Sequence, residues 1–174
     1  IMESGQRAAQ IVDNMLSFSR KSEADFVAED MAQLLDRTLA LAQNDFDLRK
    51  SYNFRHIQVV REYQPVPPVR CAPTKIQQVV FNIVRNAAQA LAALASDQQP
   101  TIWLRIKQVD DYVRIEIEDN GPGMSAENAK RVFEPFYTTK DVGVGTGLGL
   151  SVSYFIVTEN HNGALWVDSE PGRG

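Results

Sequence analysis

The chain has 174 residues, of which 44% are hydrophobic, and a formal net charge of −4. That length and apolar content supply one well-cored domain and an appendage, whereas the acidic balance argues against nucleic acid or an anionic membrane surface as a partner. The chain has no apolar run of membrane-spanning length, and its one cysteine, Cys71, cannot form an internal disulfide. We therefore expect a soluble, cytoplasmic fragment of a longer protein, which would reach a membrane only through missing upstream segments.

The first predicted element is a helix within residues 3–20. Small and apolar side chains recur there at spacings of three and four, as on one face of a helix, and this face needs a partner helix. The short polar stretch 21–25 is the expected hinge to the rest of the chain. The sequence therefore divides into a helical segment, 1–22, and a larger domain, 23–174.

The next predicted elements are a helix, a strand and a longer helix. Helical spacing of apolar residues covers residues 31–42, and a weaker alternation over residues 57–63 predicts a strand. Thr74 followed by Gln77 matches a capping box, in which two side chains satisfy backbone N–H groups at a helix start. We expect the long helix to begin there and to run to about Ala95.

The long helix carries a polar stripe formed by Asn82, Asn86 and Gln89, which are spaced by four and three residues beside its apolar face. One interpretation is a polar shoulder that meets water. The other is a ligand site, because amide oxygens are hard donors that suit hydrated Mg²⁺ and amide groups can contact phosphate oxygens. The local pattern favours neither interpretation over the other.

Two adjacent strands are predicted at TIWLRIKQ, residues 101–108, and DYVRIEIED, residues 111–119. Each alternates apolar with polar side chains, which is typical of an antiparallel pair with one buried face.

Asp119, at the end of the second strand, has the parity of that strand's apolar residues. Its carboxylate should therefore point to the core side, where an unpaired charge is too costly to keep and needs a hydrogen-bonding partner. The alternative is an Asp that turns outward into the Asn-Gly turn behind it. Gly121 and Gly123 follow and let the backbone approach whatever Asp119 holds.

The stretch GTGLGLS places Gly145, Gly147 and Gly149 directly before an apolar helix that is expected to end near Gly163. A helix N-terminus offers unpaired N–H groups and positive partial charge, and glycines expose those groups to a bulky anion. The pattern favours a phosphate cradle, and the alternative is a flexible linker.

Two other phosphate motifs are excluded. The chain has no G-x-x-x-x-G-K-[ST] segment, so it has no P-loop. The segment GPGMSA matches a dinucleotide-binding fingerprint, but the strand before it alternates with charges, whereas the first strand of a dinucleotide-binding fold is buried on both faces.

Four motifs together resemble those of sensor histidine kinases, in the family's order. NIVRNAAQAL resembles the N box, DNGPGM the first glycine box, VFEPFYTTK the F box and GVGTGLGLS the second glycine box, over roughly residues 74–153. AAQIVDNMLSFSR is similar, more weakly, to the second helix of the family's dimerisation and phosphotransfer hairpin. The resemblance thus implies that residues 1–22 end this hairpin and that residues 23–174 form the catalytic and ATP-binding domain.

The same resemblance implies an α+β fold, a two-layer α/β sandwich of the Bergerat type with a mixed, mostly antiparallel sheet and three main helices. It implies that Asp119 accepts a hydrogen bond from the adenine amino group, that Asn86 ligates Mg²⁺ and that a lid lies between the glycine boxes, with Phe133 and Phe136 as anchors. The implied nucleotide contacts are Asn82, Asn86, Gln89, Asp119, Gly121, Gly123, Met124, Lys140, Gly145, Thr146, Gly147, Leu148 and Gly149.

The activity implied by the resemblance is in-line transfer of the ATP γ-phosphoryl group to a hairpin histidine, for relay to a response regulator receiver domain. The full-length protein would dimerise through the hairpin. The chain's own histidines are expected to be structural, His56 at a strand end and His161 as a cation that suits the negative end of the last helix. Many family members carry Lys or His where Gln89 stands.

Two other functions remain open. One is an ATPase clamp or topoisomerase that shares the ATP-binding fold, although those relatives resemble a pattern with Glu where Asn82 stands. The other is a module that binds nucleotide without transferring phosphate.

Overall fold

The computed structural model describes residues 25–45, 48, 52, 54–92, 94, 98–140 and 145–174. The helix predicted within 3–20, most of the predicted hinge and part of the predicted lid lie outside these residues. The described elements are β1 (Val27–Glu29), α1 (Met31–Asn44), a 3₁₀ turn (Phe54–His56), β2 (Gln58–Tyr63), β3 (Val69–Cys71), α2 (Pro73–Leu91), β4 (Thr101–Val109), β5 (Tyr112–Asp119), α3 (Ala126–Arg131), α4 (Gly149–Phe155) and a π-helical turn (Ile156–Asn160). No helix among them is long and apolar enough to cross a membrane.

The strands form two small sheets. In the larger sheet, of order β2-β4-β5, β2 runs parallel to β4 and β4 runs antiparallel to β5. In the smaller sheet, β1 pairs with β3 antiparallel. The described strands therefore confirm a mixed, mostly antiparallel arrangement, and the antiparallel pairing of β5 confirms that this strand does not open a dinucleotide-binding fold.

The main core lies between the larger sheet and helices α1 and α2. The inward residues of β4 are at most 1% exposed, and those of β5 pack against the same core: Ile102, Leu104 and Ile106 from β4, and Val113, Ile115 and Ile117 from β5. Each fully buried aliphatic side chain contributes about 1.5–3 kcal/mol of hydrophobic stabilisation. Helix α4 packs on α2 through a second core cluster, so α1, α2 and α4 are the main helices of a two-layer α/β sandwich.

The start of α2 corrects the predicted capping box. The helix begins at Pro73 with Ala72 as its N-cap and has no side-chain cap. Proline suits this first position because its fixed φ matches the helix and its missing N–H would have no helical partner. Thr74 therefore lies inside the first turn. The helix also ends at Leu91, before the predicted Ala95.

His161 binds the backbone at this same helix start. Its Nε2 accepts from the Ala72 N–H at 3.1 Å, and its Nδ1 lies 2.8 Å from the carbonyl oxygen of Ile156. Because a backbone N–H only donates and a carbonyl only accepts, Nε2 is unprotonated and Nδ1 carries the proton. The prediction that His161 is structural is consistent with these contacts, but the expectation of a cation is wrong, because this pair of contacts requires a neutral ring.

We expect His161→Ala to lower the free energy of unfolding by about 1–3 kcal/mol, because it leaves the Ala72 N–H and the Ile156 carbonyl without their partner. It also removes the ring that contacts Phe26 at a centroid distance of 4.9 Å. Urea denaturation measures the change. The matched control is His56→Ala, which removes an exposed side chain and should change the free energy of unfolding by less than about 0.5 kcal/mol. Equal losses in both variants would contradict this role.

Candidate functional site

One face of α2 carries the predicted polar stripe. The first residue of the stripe, Asn82, binds the second glycine box. The Asn82 Nδ2 donates to the carbonyl oxygen of Gly149 at 3.1 Å and to the Ser153 Oγ at 3.3 Å. A Cβ added to Gly149 would lie 3.8 Å from the Asn82 Cγ, an ordinary contact distance. Asn82 therefore fixes where α4 begins relative to the stripe.

The other two stripe residues share a single cation. The Lys140 Nζ donates to the Asn86 Oδ1 at 3.3 Å and to the Gln89 Oε1. The Gln89 Nε2 in turn donates to the Tyr52 hydroxyl at 3.1 Å. The stripe therefore presents amide oxygens to a positive charge rather than facing only water, and its role as a ligand site stays a prediction.

Lys140 lies in an environment that disfavours its charged form. Burial lowers the pKa of Lys140 from its ordinary value of 10.5, and the nearby charge of Arg85 lowers it further. Within the described ranges, no Asp or Glu side chain forms an ion pair with Lys140. Two cations that pair with no described carboxylate make this part of the surface attractive to an anion.

Asp119 lies on the core side of β5, as its parity predicts. Its cross-strand partner is Ile102, which is fully buried. The Asp119 Oδ1 also accepts from the Gly121 N–H at 2.8 Å, so the carboxylate closes the following turn at the same time. Burial raises the pKa of Asp119 above its ordinary 3.8; the Gly121 hydrogen bond opposes this shift and the charge of Glu118 adds to it.

The glycines of the first glycine box are required by close packing. A Cβ at Gly121 would lie 2.5 Å from the Asp119 Oδ1 and 3.1 Å from the Ala90 Cβ, so only hydrogen fits between the carboxylate and α2. Gly123 has a φ of +66°, and a Cβ there would overlap the carbonyl oxygen of Glu170. The Asp119 carboxylate is thereby held near the C-terminal end of the α2 stripe.

The second glycine box packs on the F box rather than standing free. Gly147 has a φ of +65°, a Cβ there would overlap the backbone of Phe136, and its carbonyl oxygen accepts from the Phe136 N–H at 2.9 Å. A Cβ at Gly145 would lie 2.8 Å from the Thr138 Oγ1. Gly145 and Gly147 therefore allow the two ends of the predicted lid to meet. Their role in holding phosphate stays a prediction.

Three predicted contacts have structural partners of their own. Leu148 is only 1% exposed and packs in the second core cluster, so its side chain is a core residue and not a ligand contact. The Thr146 Oγ1 accepts from the Leu148 N–H at 3.4 Å. The Met124 N–H donates to the Ser169 Oγ at 3.0 Å. Leu148 could therefore meet a ligand only through its backbone.

The two predicted lid anchors differ. The Phe133 ring contacts the Tyr154 ring of α4 at a centroid distance of 5.1 Å. The Phe136 side chain is 58% exposed, so it does not anchor the segment. Phe136 instead adopts a φ of +66° and is held through its N–H. The expectation that both phenylalanines anchor the lid is therefore wrong for the Phe136 side chain.

These contacts arrange the site along α2. Gly149 lies beside Asn82 and Gly121 lies beside Ala90, and eight residues of α-helix span about 12 Å. The C-terminal end of the stripe offers the half-buried Asp119 carboxylate, and its N-terminal end offers the start of α4. Between them, an ammonium group is hydrogen-bonded to the amide oxygens of the stripe. This arrangement suits an elongated ligand with a hydrogen-bonding group at one end and negative charge at the other.

Sequence reasoning missed two residues beside this site. Arg85 lies three residues after Asn82 and four before Gln89, so helical spacing alone places it with the stripe. Tyr52 lies in the connection between α1 and β2, outside all four motifs, and no sequence signal pointed to it.

Comparison with known proteins gives a consistent result. Residues 71–174 match the family described as "Histidine kinase-, DNA gyrase B-, and HSP90-like ATPase". The chain is 33% identical over 171 residues to sporulation kinase E of Bacillus subtilis (strain 168), a match that covers 97% of this chain and 21% of that kinase. The chain therefore spans about a fifth of the length of this relative.

Comparison with solved structures shows which fold this chain shares. The catalytic domain of the histidine kinase ThkA, in a nucleotide-free form, matches with a TM-score of 0.68 and 27% identity, over 85% of this chain and 90% of that one. ThkA in complex with the response regulator protein TrrA matches over 99% of this chain and 46% of that chain, with a TM-score of 0.75 and 23% identity, which supports the fold alone. Since the family match covers more than half of the sequence, this chain belongs to the histidine kinase-, DNA gyrase B- and HSP90-like ATPase family.

Proposed function

We propose that this chain is the cytoplasmic, ATP-binding and catalytic part of a sensor histidine kinase. It transfers the γ-phosphoryl group of ATP to a histidine on a dimerisation and phosphotransfer hairpin, from which the group passes to a response regulator. The observation that carries the proposal is the α2 stripe, which has the Asp119 carboxylate near one end, the second glycine box at the other and the Lys140 ammonium between them. The similarity to histidine kinase catalytic domains supports it.

The residues of the chain have separate tasks in this reaction. Asp119 accepts from the adenine amino group, and Gly121 and Gly123 leave room for the base. Lys140 binds phosphate oxygens, and the start of α4 receives the triphosphate. The histidine nitrogen forms a bond to the γ-phosphorus while the bond between that phosphorus and the β,γ-bridging oxygen breaks and ADP leaves. Catalysis then rests on positioning and electrostatics.

The donor set fits Mg²⁺. The described residues contain no group of three or more His, Cys, Asp or Glu that could hold a metal ion, so a metal here would depend on amide, phosphate and water oxygens. Asn86 would hold Mg²⁺ through its Oδ1, a hard donor that already faces the positive charge of Lys140. Bound Mg²⁺ neutralises charge on the phosphates.

The regulator and the dimer are parts of the same proposal. The catalytic domain of ThkA is 27% identical to this chain, and ThkA has been solved in complex with the response regulator protein TrrA; on this likeness we propose a response regulator as the partner. Dimerisation is assigned to the hairpin, of which residues 1–22 would be the C-terminal part.

The asparagine at position 82 argues against the ATPase-clamp alternative. A clamp needs a carboxylate base there to activate water, whereas the Asn82 amide donates to Gly149 and Ser153. A module without transfer activity differs from a kinase only in its reaction, so a transfer assay separates them.

In that assay, the chain is incubated with γ-labelled ATP with and without a separately supplied hairpin that bears the phosphoacceptor histidine. We expect acid-labile, base-stable label on the hairpin and none on the chain, because both ring nitrogens of His161 are hydrogen-bonded and His56 lies within the domain. Label on either of these two histidines would contradict the proposed substrate. Release of free phosphate without the hairpin would favour the clamp.

A further inference from the structure

Three side chains from distant parts of the sequence form one hydrogen-bonded chain beside the stripe. The Gln89 Nε2 donates to the Tyr52 hydroxyl at 3.1 Å, and the Gln89 Oε1 accepts from the Lys140 Nζ. Tyr52 is a partly buried residue that packs against the main core. It is therefore fixed in place by contacts that do not depend on the predicted lid.

The chemistry of these groups sets the direction of the chain. An ammonium group only donates, so Gln89 must turn its carbonyl oxygen toward Lys140, and its NH₂ group then points the other way. The Tyr52 hydroxyl accepts from that NH₂ group. Without the hydroxyl, the Gln89 NH₂ group loses its partner on the side away from Lys140, so the side chain is held less firmly with its oxygen at the ammonium.

Lys140 needs these oxygens because its surroundings offer little else. It is largely buried, close to the Arg85 charge and, among the described residues, free of carboxylate partners. Asn86 and Gln89 take two of its three N–H groups. No described residue takes the third, which leaves it for an anion, and if Asn86 turns to a metal ion, a second becomes free.

We propose that Tyr52 is a positioning residue that acts through Gln89, holding the Lys140 ammonium beside Asn86 so that it contacts the terminal phosphate of bound ATP. The inference rests on the proposed function, because it assumes that ATP occupies this site. It also accounts for Gln89 at a position where many histidine kinases carry a cation: here the cation comes from Lys140, and the glutamine orients it.

Tyr52→Phe tests this assignment because it removes only the hydroxyl and keeps the ring in the core. Calorimetry measures the dissociation constants of Mg²⁺-ADP and of a Mg²⁺-bound, non-hydrolysable ATP analogue. We expect the analogue to bind about 3- to 10-fold more weakly, as for the loss of one hydrogen bond, and ADP to bind within about 2-fold of the wild type. Gln89→Leu should reproduce the selective loss.

A double-mutant cycle separates positioning from a general structural role. If Tyr52 acts through Lys140, then Tyr52→Phe should have no further effect in a Lys140→Met background. Tyr63→Phe is the matched control, because it removes a hydroxyl that contacts the Asp36 Oδ1 at 3.4 Å away from the stripe. It should leave both affinities unchanged.

Three results would overturn the inference: an equal loss for both nucleotides, a loss that persists in the Lys140→Met background, or tighter binding of the analogue by Tyr52→Phe. A wild-type chain that binds neither nucleotide would instead overturn the proposed function, and the inference with it. The two failures are therefore distinguishable in one set of titrations.

Discussion

Asp119→Asn should weaken ADP binding by roughly 10- to 150-fold, the range expected for losing a hydrogen bond that involves a charged group. The Asp119 Oδ1 is occupied by the Gly121 N–H, so the second oxygen is the acceptor available to an adenine amino group. Asparagine can keep the first contact, but it then turns NH₂ toward the amine. Two donors face each other, and the hydrogen bond to the base is lost.

The same substitution should not destabilise the free protein. The pKa of Asp119 is raised in the folded state, chiefly by burial, so ionising this carboxylate favours the unfolded state. The free energy of unfolding of the wild type therefore falls, relative to that of the variant, over a defined pH range. The fall begins near pH 3.8, the ordinary pKa of an Asp carboxyl, and continues through the higher pKa of Asp119 in the folded state. At pH 7 the variant should be at least as stable as the wild type, and the difference should shrink as the pH is lowered.

Calorimetry with ADP and urea denaturation at several pH values measure both effects. Glu118→Gln is the matched control, because its carboxylate pairs with Arg105 and lies on the opposite face of β5. It should leave ADP affinity unchanged. An unchanged affinity in Asp119→Asn would rule out the adenine contact, and a less stable variant would show that the carboxylate is structural.

The sheet and its main helices could be predicted from sequence because their signals are local. Alternation in β4 and β5 has a period of two residues, so the parity of Asp119 follows from its distance to Ile117 alone. The spacing of Asn82, Asn86 and Gln89 likewise fixes their common face on α2. These predictions required no knowledge of tertiary contacts.

The capping-box prediction overlooked a local signal, because Pro73 starts the helix one residue before Thr74. Distant residues decide the other features: His161, far along the chain, binds the Ala72 N–H. Leu148 lies among motif residues, but its side chain fills the second core, so only its backbone is left for the predicted nucleotide contact, which stays a prediction. A glycine that makes room for protein backbone, such as Gly147 beside Phe136, looks the same in sequence as one that makes room for a ligand.

Asn86→Ala should discriminate between metal-bound and metal-free nucleotide. The Asn86 Oδ1 accepts a hydrogen bond from the Lys140 ammonium, so this oxygen already interacts with a cation. If it ligates Mg²⁺, its removal should weaken Mg²⁺-ATP by about 10-fold or more, since loss of even an outer partner of a metal ligand costs 10- to 100-fold in affinity. Binding measured in a chelator should change by less than about 2-fold, because Gln89 still holds Lys140.

Titrations of Asn86→Ala with and without Mg²⁺ decide the point, with Asn44→Ala, an exposed asparagine at the end of α1, as the matched control. Equal losses under both conditions would mean that Asn86 serves Lys140 and not the metal. In that case Lys140→Met should show the same uniform loss. If Asn86 is the metal ligand, Lys140→Met should weaken ATP binding in the chelator as well, while Asn86→Ala should not, because the lysine contacts the phosphates whether or not Mg²⁺ is present.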